Sequence, residues 1–283
     1  MKKLLTYLSL PCFFIFIFSC KKEVDPNAQL RSEKGFSLYW HHDTFSQKGR
    51  GLLFDFTNNQ RLTHDYDLQF GYTIKNKVIT VKLLKATDNG ECAKFPGWGN
   101  ENLCESNGNI YIPDSQLPAG AYDFEFIAHS VKVSAKLDVS AEKVSLTVPS
   151  NPYFTNNIPA VYPIPIGLVF GSIVYSGSEK ETIVTAMIDE LSALGLKPAT
   201  VPDYPYRYLD VKQNTHLQKG FWEPDNHSVS LLYTRNNVNF KSVFEVMKKN
   251  FELSGNALNI GLYSSNGDEA HASAEGTTVF YAE

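Results

Sequence analysis

Between Phe36 and Val148 the chain alternates apolar and polar residues with a period of two, the pattern of half-buried strands. The runs Phe36–His41, Leu52–Phe56, Leu68–Ile74 and Val78–Leu84 are aromatic or β-branched. Ile110–Ile112, Tyr122–Ile127, Val131–Leu137 and Val144–Val148 continue the pattern. Short polar turns such as Lys75-Asn76-Lys77 separate them, and no amphipathic helix interrupts. The spacing predicts an antiparallel β-sandwich over residues 34–149.

Prolines then cluster at 149, 152, 159, 163 and 165. Fixed φ and missing N–H groups predict a stiff connector over 150–165, with a boundary near residue 157. Beyond it the period changes. Ile166–Tyr175 reads as a strand. Ser178-Glu179-Lys180-Glu181 has the form of a capping box opening a helix whose Ile183, Met187, Leu191 and Leu194 share a face, closed by Gly195. Strands around Tyr206–Val211 and Val229–Tyr233 follow. A second helix starts at Asn239, with Phe240, Val243, Phe244, Met247 and Phe251 on one face and Gly255 at its end. Leu258–Tyr263 and Thr278–Tyr281 read as final strands.

Two local patterns resemble known architectures. Leu117-Pro118-Ala119-Gly120-Ala121-Tyr122 resembles the tyrosine corner of immunoglobulin-like and fibronectin-type sandwiches, which implies a hydroxyl bond from Tyr122 back to the main chain upstream. The order β-α-β-β-α-β over 166–283 resembles the ferredoxin-like split βαβ arrangement with one extra strand. The expected fold class is therefore two-domain: an all-β immunoglobulin-like sandwich followed by an α+β ferredoxin-like domain.

The first nineteen residues stand apart from both bodies. Lys2 and Lys3 precede an apolar run from Leu4 to Phe18, broken by Pro11 and too short to span a bilayer comfortably. The run ends in Ile17-Phe18-Ser19-Cys20, which resembles the lipobox of bacterial lipoproteins. The resemblance implies cleavage before Cys20, acylation of that cysteine by chains such as palmitate, and tethering of the mature protein to a membrane. The following Lys21-Lys22-Glu23-Val24-Asp25-Pro26 is similar to the charged start of surface-exported lipoproteins of Bacteroidota, and equally reads as a solvated linker. Residues 20–33 are polar and aperiodic, a flexible tether. The expected location is the outer membrane, lipid-anchored, on its periplasmic or cell-surface face.

That compartment changes the reading of the cysteines. With Cys12 removed in the signal and Cys20 acylated, Cys92 and Cys104 remain, an even pair in an oxidising environment. A disulfide between them is expected; a cysteine metal site would need more ligands at closer spacing. The loop they bracket holds Phe95 and Trp98 among glycines and polar residues. Flat aromatics there either stack on sugar rings or anchor a protein partner, or Trp98 folds back over the core.

Charge narrows the partners. With 26 basic and 30 acidic residues the net charge is −4, and no basic run gives the footprint of nucleic-acid binding. His41-His42-Asp43 invites a metal, but adjacent strand residues point to opposite faces. His64-Asp65-Tyr66-Asp67 and Ser265–Glu269 offer oxygen ligands without completing an EF-hand loop. Gly167–Ser172 departs from GxSxG, and Gly97-Trp98-Gly99 lacks a following helix. Tyr204, Tyr206 and Tyr208, with Trp222 nearby, alternate onto one face and fit packing against the helices.

No metal, cofactor or catalytic residue is expected. The leading expectation is a non-catalytic binding or scaffold module for a protein partner in the envelope. Alternatives are a glycan-binding accessory lipoprotein of a polysaccharide-uptake system and an envelope hydrolase.

Overall fold

The computed structural model describes residues 35–46, 49–92, 103–202, 218–219 and 226–281. The signal and tether expected over 1–33, with Cys20, lie outside the described residues. So do Phe95, Trp98, Tyr204, Tyr206, Tyr208 and Trp222. The described residues are mostly strand, arranged as a large ten-stranded sheet and a seven-stranded sheet that carries two helices.

The large sheet begins with β1 (Phe36–Ser46), β2 (Gly49–Leu62), β3 (His64–Lys75) and β4 (Val78–Glu91). β3 turns into β4 through Asn76 and Lys77, both at positive φ (51° and 60°), a two-residue hairpin whose twist suits the flanking strands. β5 (Cys104–Pro113), β6 (Gly120–Ala128), β7 (Val131–Val139) and β8 (Val144–Thr147) follow. The proline-rich segment adds β9 (Phe154–Asn156) beside β1 and β10 (Ala160–Val161) beside β8. The residues expected as a connector are thus partly drawn into the large sheet. The spatial order is β10-β8-β7-β6-β4-β3-β5-β2-β1-β9. Three pairings, β1–β9, β3–β5 and β4–β6, are parallel and depart from the antiparallel pattern expected.

This sheet is curled. Phe36 of β1 and Phe126 of β6 meet edge to face at 5.2 Å. Four strands separate β1 from β6, so a flat sheet would hold them about 24 Å apart at the ordinary strand spacing. The two outermost strands, β9 and β10, are joined by only residues 157–159, which limits the gap between the edges to about 14 Å. Inside the curl lies the larger core, in which Trp40 stacks on Phe54 at 5.4 Å and Phe56 on Phe126 at 5.2 Å. At the corner before β6, the Tyr122 hydroxyl donates to the Pro118 carbonyl at 2.6 Å, the bond its motif implies.

The β3–β5 seam is unlike the others. It registers a single pair, Asp67 with Asn107. Gly108 lies so close to β3 that a Cβ would stand 1.8 Å from the Leu68 carbonyl oxygen.

The smaller sheet holds β11 (Leu168–Ser176), β12 (Lys197–Pro198), β13 (Gln218–Lys219), β14 (Asn226–Thr234), β15 (Leu258–Ser264), β16 (Glu269–Ser273) and β17 (Gly276–Phe280). Its order is β12-β14-β11-β15-β16-β17, with β13 also on β14 and every pairing antiparallel. Helices α1 (Glu181–Ala193) and α2 (Phe240–Leu253) cover one face through Val184, Met187, Leu191, Phe240, Val243, Met247 and Phe251. Asn239 caps α2 by accepting from the Lys241 amide at 2.9 Å. The capping box expected at Ser178 does not form. Ser178–Lys180 is a 3₁₀ turn leading into α1, whose first residues receive no side-chain cap. The opposite face carries a separate cluster of Ile164, Leu168, Phe170, Ala199, Val201 and Leu232.

Candidate functional site

The two ends of the large sheet are built differently. Along β1 the inward positions run Phe36, Leu38, Trp40, His42, Thr44, and along β2 they run Phe54, Phe56, Asn58. The interior is apolar in the middle and polar at both ends. β5 runs from one end to the other, so Cys104 at its start and Asp114 just past its finish are about 33 Å apart at the strand rise.

At the first end Cys92 and Cys104 form a disulfide, with Cα atoms 5.8 Å apart. Cys104 is registered against Leu62, and the Cys92 amide donates to the Thr63 carbonyl at 3.0 Å. The base of the loop carrying Phe95 and Trp98 is therefore fixed to three strands. Around it sit polar pairs: His64 Nδ1 lies 3.0 Å from Asp88, and Arg61 lies 3.7 Å from Glu105. The Asn89 amide donates to Asp65 at 3.3 Å. Beneath this rim Asn58 and Ser106 are buried, and Asn58 Nδ2, Gln60 Oε1 and Ser106 Oγ have no hydrogen-bond partner among the described residues. Buried polar groups without partners are uncommon and mark a place where water or a ligand group completes the bonding. Asn58 could have been found from sequence, since it follows Phe54 and Phe56 in phase.

The same end receives the start of the chain. Phe36, the first residue of β1, is registered against Asn58, and the Asn59 amide donates to the Gly35 carbonyl at 3.0 Å. Gly35 therefore lies at the same end of the sheet as the disulfide.

At the far end His42, only 4 % exposed, places Nε2 at 3.0 Å from Asp114, while His41 falls on the opposite face near Tyr39. Asp114 also meets Arg50 Nε at 3.5 Å. The Arg50 fork then crosses to the smaller sheet's side: Nη1 donates to the Ser265 carbonyl at 2.5 Å and Nη2 to the Ile164 carbonyl at 2.6 Å. Burial alone would raise the Asp114 carboxyl; the hydrogen bond and charge of His42, with Arg50, outweigh it and hold it below its ordinary value. Ser265 belongs to the turn expected as an oxygen-ligand candidate. There Asp268 accepts from Ser264 Oγ at 2.7 Å and from Arg235 Nη1 at 2.9 Å, so its carboxylate is committed to the turn. Among the described residues no three of His, Cys, Asp and Glu are gathered as a metal-ligand set, and no helix is long and apolar enough to cross a membrane.

The far end therefore carries the Arg50 link to the smaller sheet's side. No protein-family model matches the chain, and no curated protein or solved structure is significantly similar to it.

Proposed function

We propose that this chain is a lipid-anchored, non-catalytic binding module of the cell envelope, acylated at Cys20, which engages a protein partner at the membrane surface. In this reading the large sheet is a sandwich-like domain with an immunoglobulin-type corner, and the smaller sheet is a ferredoxin-like domain. The second assignment is supported by the order β15-β11-β14-β13 with two helices on one face. The observation that carries the functional reading is that Gly35 and the Cys92–Cys104 disulfide lie at the same end of the large sheet. A polar tether of 20–34 has a root-mean-square reach of about 22 Å. The disulfide end thus stays within reach of the bilayer, while the Arg50 end carries the smaller sheet outward. Phe95 and Trp98 would be offered to a partner that itself sits in or on the membrane.

The test uses a photo-crosslinking residue at Leu103, exposed next to Cys104, and in a second variant at Leu253, exposed at the end of α2. A discrete adduct with a membrane protein from Leu103 and none from Leu253 is expected. An adduct from Leu253 alone, or from neither, contradicts the reading. A second reading, a glycan-binding accessory protein, draws on a different surface: the outer face of β1, β2, β5 and β3, where polar side chains line a groove beside an exposed tyrosine.

A further inference from the structure

The outward face of the large sheet carries a polar groove of about 520 Å³ above the β3–β5 seam. Its walls are Asp55 of β2, Asn107 and Asn109 of β5, Asp67 and Gln69 of β3, and Thr87 of β4. Leu68, Phe70 and Gly108 form its floor. Leu68 and Phe70 bury their side chains in the core, so they present main chain to the groove. The cause of the opening is local. Gly108 lets the two backbones approach closely, and the seam registers a single ladder pair.

The registers order the side chains into rows. Thr57, Asn107, Asp67 and Thr87 are successive cross-strand neighbours, and Tyr39, Asp55 and Asn109 form the next row. Thr57 Oγ1 donates to Asn107 Oδ1 at 2.7 Å, and Asn107 Nδ2 donates to the Glu105 carbonyl at 3.2 Å. The Asn107 amide is thereby held in one orientation with one N–H and one lone pair left over. Tyr39 is 44 % exposed at the end of its row.

Spacing decides what such a groove can take. β5 lies between β2 and β3, and Asp55 and Asp67 are offset by two residues along it, so their Cα atoms stand roughly 12 Å apart. Outward-pointing carboxylates at that spacing do not share one calcium ion, whose oxygen ligands lie at about 2.4 Å. Side-chain amides supply donors as well as acceptors, which a cation has no use for and a sugar hydroxyl does. An aromatic face beside planar amides and carboxylates matches a pyranose ring, with its apolar C–H face and polar rim. The exposed Asp67 carboxylate repels uronates and sulfates.

We propose that this groove binds a neutral oligosaccharide, with Tyr39 supporting the apolar face of one ring and Asp55, Asp67, Asn107 and Asn109 bonding hydroxyls of successive rings. The inference rests on the glycan reading and specifies its ligand and its residues. The strands hold these side chains in place before binding, so recognition does not require ordering a loop.

Calorimetry tests it on the full chain in a detergent without a sugar headgroup. The probes are neutral gluco-, xylo- and manno-hexasaccharides, oligogalacturonate and heparin hexasaccharides, and calcium chloride alone. At least one neutral hexasaccharide is expected to bind saturably and the anionic ones not at all. Asp67→Ala, Asn109→Ala and Tyr39→Ala, all surface changes that leave the melting curve in place, each weaken binding on the order of tenfold, or 1.4 kcal/mol. Absence of neutral-sugar binding at about 10 mM ligand, a regime that detects even millimolar affinities, overturns the proposal. So does neutral-sugar binding that all three variants leave unchanged, or calcium binding in place of sugar. If Trp98→Ala abolishes sugar binding while the groove variants keep it, the glycan reading stands and the groove assignment fails.

Discussion

Arg50 Nη1 donates to the main-chain carbonyl of Ser265 at 2.5 Å, linking the far end of the large sheet to the turn before β16. The side chain is only 16 % exposed and its second nitrogen holds Ile164. A planar fork reaching two carbonyls has no equivalent in lysine. Arg50→Lys and Arg50→Ala should both lower stability, the latter by about 2–3 kcal/mol, as expected when a charged hydrogen-bonding group is removed from a buried network. Limited proteolysis reads the consequence: cleavage within residues 150–165 should accelerate in both variants, and an unchanged digestion rate would show that the two sheets are held together by other contacts.

Asp114 gives the same joint a pH dependence. Its folded-state pKa lies below the ordinary carboxylate value. The stabilisation it contributes is therefore fully present above about pH 4, where the unfolded carboxyl is ionised, and is lost as the pH falls through the lowered folded value. The melting temperature of the native chain should fall more steeply below about pH 4 than that of Asp114→Asn. Parallel curves for the two proteins would remove Asp114 from the account.

At the closing edge, Trp40 Nε1 lies 3.2 Å from Asn156 Oδ1, and Asn156 Nδ2 donates to the Leu146 carbonyl at 2.9 Å. One amide thus ties β1 to β8, the strands flanking the two sheet edges. Asn156→Leu should cost about 2 kcal/mol, because it strands a carbonyl in a nearly closed curl. Denaturant unfolding measures this, and a change within a few tenths of a kcal/mol would mean that β9 and β10 suffice.

Gly108 is a position in the large sheet that does not accept a methyl group. A Cβ there meets the Leu68 carbonyl, so Gly108→Ala forces β5 from β3. A melting temperature lowered by several degrees is expected, corresponding to about 1–3 kcal/mol of strain. Wild-type melting would refute the close approach.

Much of this was legible in sequence because the chain spells its large sheet in period two. Phe54 and Phe56 or Leu68 and Phe70 announce their inward face, and Tyr122 four residues after Pro118 announces its corner. What escaped had weak local signals. β16 reads Glu-Ala-His-Ala-Ser, and its buried Ala270 and Ala272 carry too little apolar surface to stand out. β9 and β10 hide among prolines, where local chemistry suggests a connector and tertiary pairing overrides it. The capping box at Ser178 failed because a 3₁₀ turn displaced the start of α1 by two residues. The groove was invisible because its walls come from four strands far apart in sequence, joined by a parallel crossover that no local pattern encodes. The disulfide was legible only through the compartment the signal implies.

That disulfide closes a loop with a sequence separation of 12. Cys92→Ser with Cys104→Ser should cost about 3 kcal/mol on the chain-entropy account, seen as a lower denaturant midpoint, and should abolish the Leu103 crosslink. Retention of that crosslink would separate partner recognition from the stapled loop.

The proposed binding function requires that the disulfide end be held close to a membrane through Cys20. Metabolic labelling with an alkyne palmitate analogue, followed by membrane fractionation of the native chain and Cys20→Ala, tests this most directly. The account predicts label and membrane association in the native chain and neither in the variant. An unlabelled native chain, or a Cys20→Ala protein that still sediments with membranes, contradicts it.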